Sequence, residues 1–233
     1  MTSQSLQSTA ASSNPTAEDI QQLTPMLRQF YELKAKAPEA ILFFRMGDFY
    51  EIFGEDAEEV APLLDLMMTS RERGDKNRIP FCGVPHHSAK GYWLRLLKLG
   101  YSVALADQIE DPATAKGLVK RDIVQIFTPG CIDDPEALEA DRPNHLLAVY
   151  EEPKHKKWSL LVIDTSTGEL KLGNIQREEL ESWLQIYQPR EILARKFMHD
   201  ELRELALRVG DKICLATLPE AILRDKEGQS KFL

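Results

Sequence analysis

The feature that most restricts the fold of this chain is the apolar run Ala40-Ile41-Leu42-Phe43-Phe44, which passes through Arg45-Met46 and breaks at Gly47-Asp48. A short apolar run closed by a turn signal predicts a buried strand. Gly47 lets the backbone turn tightly at the break. Phe49-Tyr50-Glu51-Ile52-Phe53 follows at once. In an extended segment, side chains two apart share a face, so Phe49 and Glu51 are expected to point the same way. Phe43, Phe44 and Phe53 are assigned to the core, because large aromatics dominate cores. Phe49 stands just past a turn, where a rigid scaffold can present a side chain. A flat apolar ring beside a hydrogen-bond acceptor suits a protein that opens a base stack and inspects a base edge.

Around this stretch the chain divides. Residues 1–20 are rich in Ser, Thr, Gln and Ala and read as a disordered tail. Residues 21–130 form a first domain. Thr24-Pro25 predicts a helix start, with Thr as N-cap and Pro at the first helical position, running to about Lys36. Asp56-Ala57-Glu58-Glu59 has the spacing of a capping box and is expected to open a helix carrying Val60, Leu63 and Leu64. A short strand is expected over Leu66 to Thr69, an exposed hairpin or loop over Ser70 to Asn77, and an ordered, proline-set loop over Ile79 to His87. Ser88 is expected to cap a helix through Leu97, stopped by Gly100. Strands over Tyr101–Ala106 and Val119–Phe127 complete the domain.

Residues 131–144 are acidic, hold two prolines and read as a linker. Residues 145–233 form a second domain. Strands are expected over Leu146–Tyr150, Trp158–Asp164 and Glu169–Leu172, joined by a charged hairpin (Glu151–Lys157) and a Thr167-Gly168 turn. A helix over Glu178–Tyr187, a strand over Ile192–Ala194 and a helix over Asp200–Val209 follow. The fold class is therefore α/β. A mixed-sheet α+β domain comes first, then a three-stranded meander with alternating helix and strand, compatible with a ribonuclease-H-like α/β fold.

With 43% hydrophobic residues the chain can bury a core, and no run of 18 apolar residues suggests a membrane span. The N-terminus lacks the basic and apolar regions of a secretory signal. Three widely spaced cysteines, Cys82, Cys131 and Cys214, suggest neither a zinc site nor a disulfide framework, and fit a reduced cytosolic compartment. His86-His87 has no third ligand nearby, so no metal site is expected. The net charge of -8 argues against tight nucleic-acid binding by this chain alone. Its distribution is uneven: Glu18 to Asp65 holds 4 basic and 11 acidic residues, Arg71 to Arg121 holds 10 basic and 5 acidic. Arg71, Arg73 and Lys76, in a polar stretch, are candidates for phosphate contact.

Phe44-Arg45-Met46-Gly47-Asp48-Phe49-Tyr50-Glu51 resembles the mismatch-reading motif of the MutS family of DNA mismatch repair proteins. Further motifs fall in that family's order: Thr24-Pro25-Met26, Ile79 to His87, Asp111 to Gly117, and Thr128-Pro129-Gly130. The resemblance is strong from Leu23 to Gly130 and weaker beyond. It implies a mismatch-recognition domain followed by a connector domain with a ribonuclease-H-like fold. It implies that Phe49 wedges into the base stack and Glu51 bonds the displaced base, with Met46, Gly47 and Asp48 forming the rest of the motif. Where the base offers no proton, the Glu51 carboxyl must itself carry one. Double-stranded DNA with mismatches or small insertion/deletion loops is the implied ligand, and repair proteins the implied partners of the connector. A cytoplasmic, nucleoid-associated homodimer is implied for the full-length family.

That family also hydrolyses ATP, but no Gly-x-x-x-x-Gly-Lys-Ser/Thr loop occurs here. No cofactor is expected in this chain; ATP and magnesium belong to the absent ATPase region. The chain is expected to be non-enzymatic and to be a fragment or a truncated relative, its end falling before the connector is complete. Two alternatives compete. One is an interaction module that has lost DNA recognition. The other is a nuclease built on Asp164, for which Glu169 is the one obvious companion. Two-metal nucleases need several clustered carboxylates, and an Asp before Thr-Ser-Thr-Gly is more simply a turn residue.

Overall fold

The computed structural model of the protein describes residues 23–72, 78–110, 117–132, 134–136, 138, 142–151, 158–209 and 213–218, with backbone alone for residues 71, 72 and 78. The expected N-terminal tail, Arg73, Lys76, the Asp111–Lys116 motif and the Glu151–Lys157 hairpin beyond its first residue lie outside the described residues, as does the end of the chain.

Helix α1 (Pro25–Lys36) begins as expected: the Thr24 hydroxyl accepts from the Leu27 N–H, and Pro25 takes the first helical position. Strands β1 (Ala40–Met46) and β2 (Phe49–Phe53) pair as an antiparallel hairpin. Helix α2 (Glu55–Val60), β3 (Thr69–Glu72), β4 (Arg78–Pro85), α3 (Ala89–Lys98), β5 (Ser102–Gln108) and β6 (Arg121–Phe127) follow. The six strands form one sheet in the order β3-β4-β2-β1-β5-β6, antiparallel except for the β1/β5 pair. Alternation along β1 divides the core. Leu42 and Phe44 face α1, while Ile41 and Phe43 face α2 and α3. The run Ala40–Phe44 is buried throughout because helices cover both faces of its strand.

Several local expectations are corrected. Asp56 caps nothing. Helix α2 starts two residues earlier, with Gly54 at the N-cap position and a positive φ of 64°. The Asp56 carboxylate is buried instead, 2.8 Å from the Lys34 ammonium and 3.1 Å from the Leu42 N–H, and ties α1, β1 and α2 together. Helix α2 ends at Val60, and Leu63 and Leu64 lie in the turn that follows. Met67 and Met68 are exposed, and the strand begins only at Thr69. Ser88 holds the N-cap position of α3 as expected, but its hydroxyl makes no capping bond: a 3-10 turn over His86–Ser88 leads into the helix, and the Ser88 hydroxyl donates to the Pro85 carbonyl. Gly100 stops α3 as expected, with the Tyr101 N–H reaching back to the Leu96 carbonyl and that of Gly100 to Leu97.

The largest correction concerns Ile79–Pro85, which is strand β4 and not a loop. Pro80 is tolerated because its carbonyl accepts from Gly54, whose own carbonyl is already engaged by Ala57 and Glu58. No ladder bond lacks a donor there. Pro85 closes the strand, and the next residue, His86, donates its N–H to the Asp48 carbonyl at 2.8 Å.

The second sheet contains β7 (His145–Glu151), β8 (Trp158–Asp164), β9 (Glu169–Ile175), β10 (Glu191–Ala194) and β11 (Cys214–Thr217) in the order β11-β10-β7-β8-β9. Strands β7, β8 and β9 form the antiparallel meander, and β10 lies parallel to β7 and β11. Helices α4 (Leu180–Tyr187) and α5 (His199–Val209) pack with Leu147, Val149, Leu160, Val162 and Ile192. This is the α/β, ribonuclease-H-like arrangement expected, with β11 as an additional strand.

The two sheets meet at Gly130. Its N–H donates to the Glu191 carboxylate at 2.9 Å, and its carbonyl accepts from Thr165 and Asn144. A Cβ on Gly130 would lie 2.7 Å from the Glu191 Cβ, so only glycine fits this contact. The segment read as a linker is fastened to α3: Ile132 packs on Leu94 and Leu97, and Asp134 and Glu136 pair with Lys90. No helix among the described residues is long and apolar enough to cross a membrane.

Candidate nucleic-acid interface

The β1–β2 hairpin turns on two residues, with Met46 opposite Phe49. Gly47 has φ 58° and Asp48 is not in the left-handed region, the combination of a type II′ turn, which requires glycine first. A Cβ on Gly47 would meet nothing, so the dihedral alone selects glycine. The Arg45 guanidinium donates to the Gly47 carbonyl and lies 5.6 Å from the Tyr50 ring centre. Asp48 acts through its carbonyl, which holds His86. The tip is thus tied to its own strand and to the end of β4.

Phe49 is 47% exposed, while its neighbour Tyr50 is 3% exposed. Alternation puts Phe49, Glu51 and Phe53 on one sheet face, with Met46 and Phe44 opposite them on β1 and Pro85, Gly83 and Phe81 on β4. Phe44 and Phe53 are sealed beneath α1. Toward the hairpin tip the cover ends, and Phe49, Glu51, Met46 and Gly83 are left at least partly open. Glu51 and Gly83 face each other, and the Gly83 Cα carries nothing between the Phe49 ring and the Glu51 stem. One carboxylate oxygen of Glu51, Oε2, is shielded from solvent. A half-exposed aromatic and a half-shielded acceptor therefore share one patch, as expected from their spacing.

The opposite face supports them. Tyr50 packs against Phe43 and His86, and its hydroxyl donates to Asp107 on β5 at 2.9 Å. Burial, and then the Asp107 hydrogen bond and charge, push the Tyr50 phenol up to about 12. Tyr101, partly buried and bonded to Glu59, is also pushed up to about 12. A phenol raised above its unfolded value of 10.0 stabilises the fold fully below pH 10, and that stability is lost as pH rises toward 12. Stability is therefore expected to fall across this window, by roughly 2–3 kcal/mol through buried Tyr50 and by less through the more solvent-screened Tyr101. Tyr50→Phe should flatten part of the decline in denaturant melts from pH 9 to 12, and an unchanged slope would contradict the assignment.

Arg121 supports the site in a way its place in the basic segment does not suggest. Although counted with that segment, it is 7% exposed. Its Nε donates to the Arg45 carbonyl at 2.6 Å, its Nη1 to Gln29 and the Val119 carbonyl, and its guanidinium lies 4.9 Å from the Phe44 ring centre. Arg95 bonds the Leu63 carbonyl and Asp65, Lys90 pairs with Asp134 and Glu136, and Lys98 bonds the Glu136 carbonyl. The basic segment is therefore not one cationic surface. Arg71 sits on edge strand β3 opposite Ile79, and its side chain is not described.

The nuclease alternative finds no cluster of carboxylates among the described residues. Asp164 accepts from the Ser166 N–H and hydroxyl and closes the β8–β9 turn. Glu169 is engaged by Lys171. Among the described residues no three His, Cys, Asp or Glu side chains form a group able to hold a metal ion.

Comparison with known proteins matches residues 24–136 to MutS domain I and residues 144–227 to MutS domain II. The DNA mismatch repair protein MutS of Desulfitobacterium hafniense is 52% identical over 146 residues, 63% of this chain and 16% of that protein. That of Geobacillus thermodenitrificans is 42% identical over 205 residues, 87% of this chain and 22% of the relative. That of Listeria monocytogenes (strain HCC23) is 46% identical over 156 residues, 67% of this chain and 18% of the relative. The chain spans about a fifth of the length of these relatives.

Proposed function

This chain belongs to the MutS family, with domains I and II in that order, and from that premise we propose that it binds mismatched DNA, Phe49 acting as the wedge and Glu51 as the hydrogen-bond acceptor. The observation that carries the proposal is the shared open patch of Phe49 and Glu51 on a rigid, cross-tied hairpin. A mismatched step has already lost stacking and pairing energy, so inserting a ring there costs less than at a matched step. Stacking on the ring returns about 1–3 kcal/mol, enough to offset opening at a mismatch but hardly at a matched pair. Met46, Gly47 and Asp48 set the position of the wedge. The second domain serves as the connector toward repair partners, and the full-length protein to which such domains belong acts as a cytoplasmic, nucleoid-associated homodimer. ATP and magnesium are bound outside this chain, which itself takes no cofactor.

Glu51 tests the proposal. As a carboxylate it repels phosphate and favours only a base that offers it a proton. Glu51→Gln keeps the shape and removes the charge. It is expected to hold or raise affinity for matched duplex and to narrow the ratio of G·T to matched binding about tenfold, the worth of one charge-assisted bond. Fluorescence anisotropy at one salt concentration, in a full-length MutS carrying residues 24–227 of this chain, measures it. A ratio unchanged by Glu51→Gln would remove Glu51 from the site.

Arg71, Arg73 and Lys76 are assigned to phosphate binding. Replacing Arg71 and Arg73 by Ala should weaken matched and mismatched duplex about equally. The slope of log affinity against log salt should fall by about 0.9 for each phosphate that is no longer neutralised. An unchanged slope in the same grafted protein would exclude both arginines from the DNA backbone.

A further inference from the structure

Gly83 has no internal reason to be glycine. It lies inside β4, where a glycine weakens the strand. Its backbone is not in the left-handed region, unlike that of Gly47 or Gly54. A Cβ there would stand 3.5 Å from the Tyr50 carbonyl oxygen, 3.6 Å from the Glu51 Cγ and 3.8 Å from the Phe49 Cδ1, all ordinary contacts. Gly130, by contrast, is crowded to 2.7 Å. A methyl group at position 83 would fit the fold, and it would fill the space between the ring and the carboxylate.

We infer that Gly83 is a specificity-determining position: its bare Cα leaves room for the nucleobase displaced by Phe49 to reach the Glu51 carboxylate. The inference rests on the DNA-binding function proposed above. Counting along the ladder from the His86–Asp48 hydrogen bond, Glu51 and Gly83 form a non-hydrogen-bonded pair, in which facing side chains approach most closely. Any side chain at position 83 stands directly beside the Glu51 stem. A methyl group there holds a flat ring off the carboxylate, and a hydrogen bond tolerates only a few tenths of an ångström. Glu51 and Gly83 are both partly open to solvent and face each other, so the side of the Glu51 carboxyl group that a base can approach is the one Gly83 lines.

The test uses the same grafted full-length protein, with Gly83→Ala, Gly83→Val, Glu51→Ala, Phe49→Ala and the Gly83→Ala/Glu51→Ala pair. Gly83→Ala should keep or raise the thermal midpoint, yet lower the G·T-to-matched affinity ratio about tenfold. Gly83→Val should lower it further. In the Glu51→Ala background, Gly83→Ala should change the ratio less than about twofold, because the bond it obstructs is already gone. A merely structural role would not produce that dependence on Glu51. If Gly83→Ala keeps the parental ratio while Phe49→Ala abolishes it, the inference is overturned and the wedge survives. If Phe49→Ala keeps the preference, the wedge function fails and the role of Gly83 fails with it.

Discussion

Phe49→Ala is expected to reduce the preference for a G·T duplex over a matched duplex to near unity, while affinity for matched duplex stays within about twofold of the parent. The stacking removed, about 1–3 kcal/mol, corresponds to roughly fivefold to 150-fold in the ratio. Matched binding survives because phosphate contacts supply it and a ring that does not enter the stack contributes little. The fold should survive as well. Phe49 is half exposed and belongs to neither core cluster flanking the sheet, so truncation should shift stability by less than about 1 kcal/mol. A loss of preference accompanied by unfolding would therefore contradict this account as much as an unchanged preference would.

Arg121→Ala is expected to have the largest effect on stability, a loss of about 3 kcal/mol in denaturant unfolding. The guanidinium is buried and spans β6, β1 and α1 through Arg45, Gln29 and Val119, and its removal leaves three acceptors facing a void. Arg121→Lys should recover little, because a single ammonium cannot reproduce the fork that also covers the Phe44 ring. Since Arg45 lies one ladder pair from the hairpin tip, mismatch preference should fall together with stability. A loss below about 1 kcal/mol would show that Arg121 does not tie these elements together.

These two residues mark where the sequence is legible and where it is not. The spacing of Phe49 and Glu51 after a glycine turn is a local pattern, and the local pattern survives because β2 is regular. Thr24-Pro25 and Gly100 act within one helical turn and are equally readable. Asp56 carries the same kind of local signal, yet its carboxylate goes to Lys34 and Leu42, partners 22 and 14 positions away. Pro80, Gly83 and Pro85 look like loop residues; β4 holds because Pro80 lies past the end of β2 and Pro85 closes the strand. Strand β11 is four residues long and exists through its pairing with β10. The basic segment is misleading for the same reason. Lys90, Arg95, Lys98 and Arg121 lie in one basic stretch, but Lys90 and Lys98 go to the 134–136 segment, Arg95 to Leu63 and Asp65, and Arg121 to the Arg45 carbonyl.

A hairpin that opens the base stack at a mismatch changes the surroundings of the neighbouring base. A fluorescent adenine analogue placed beside a G·T pair reports this directly, since its emission rises when it loses its stacking neighbour. Titrating the duplex with the full-length MutS carrying residues 24–227 of this chain should raise emission at the mismatch, leave it unchanged in a matched duplex, and give no rise with Phe49→Ala. Saturable binding of the G·T duplex with no rise in emission, or a rise that persists without the Phe49 ring, would contradict the account.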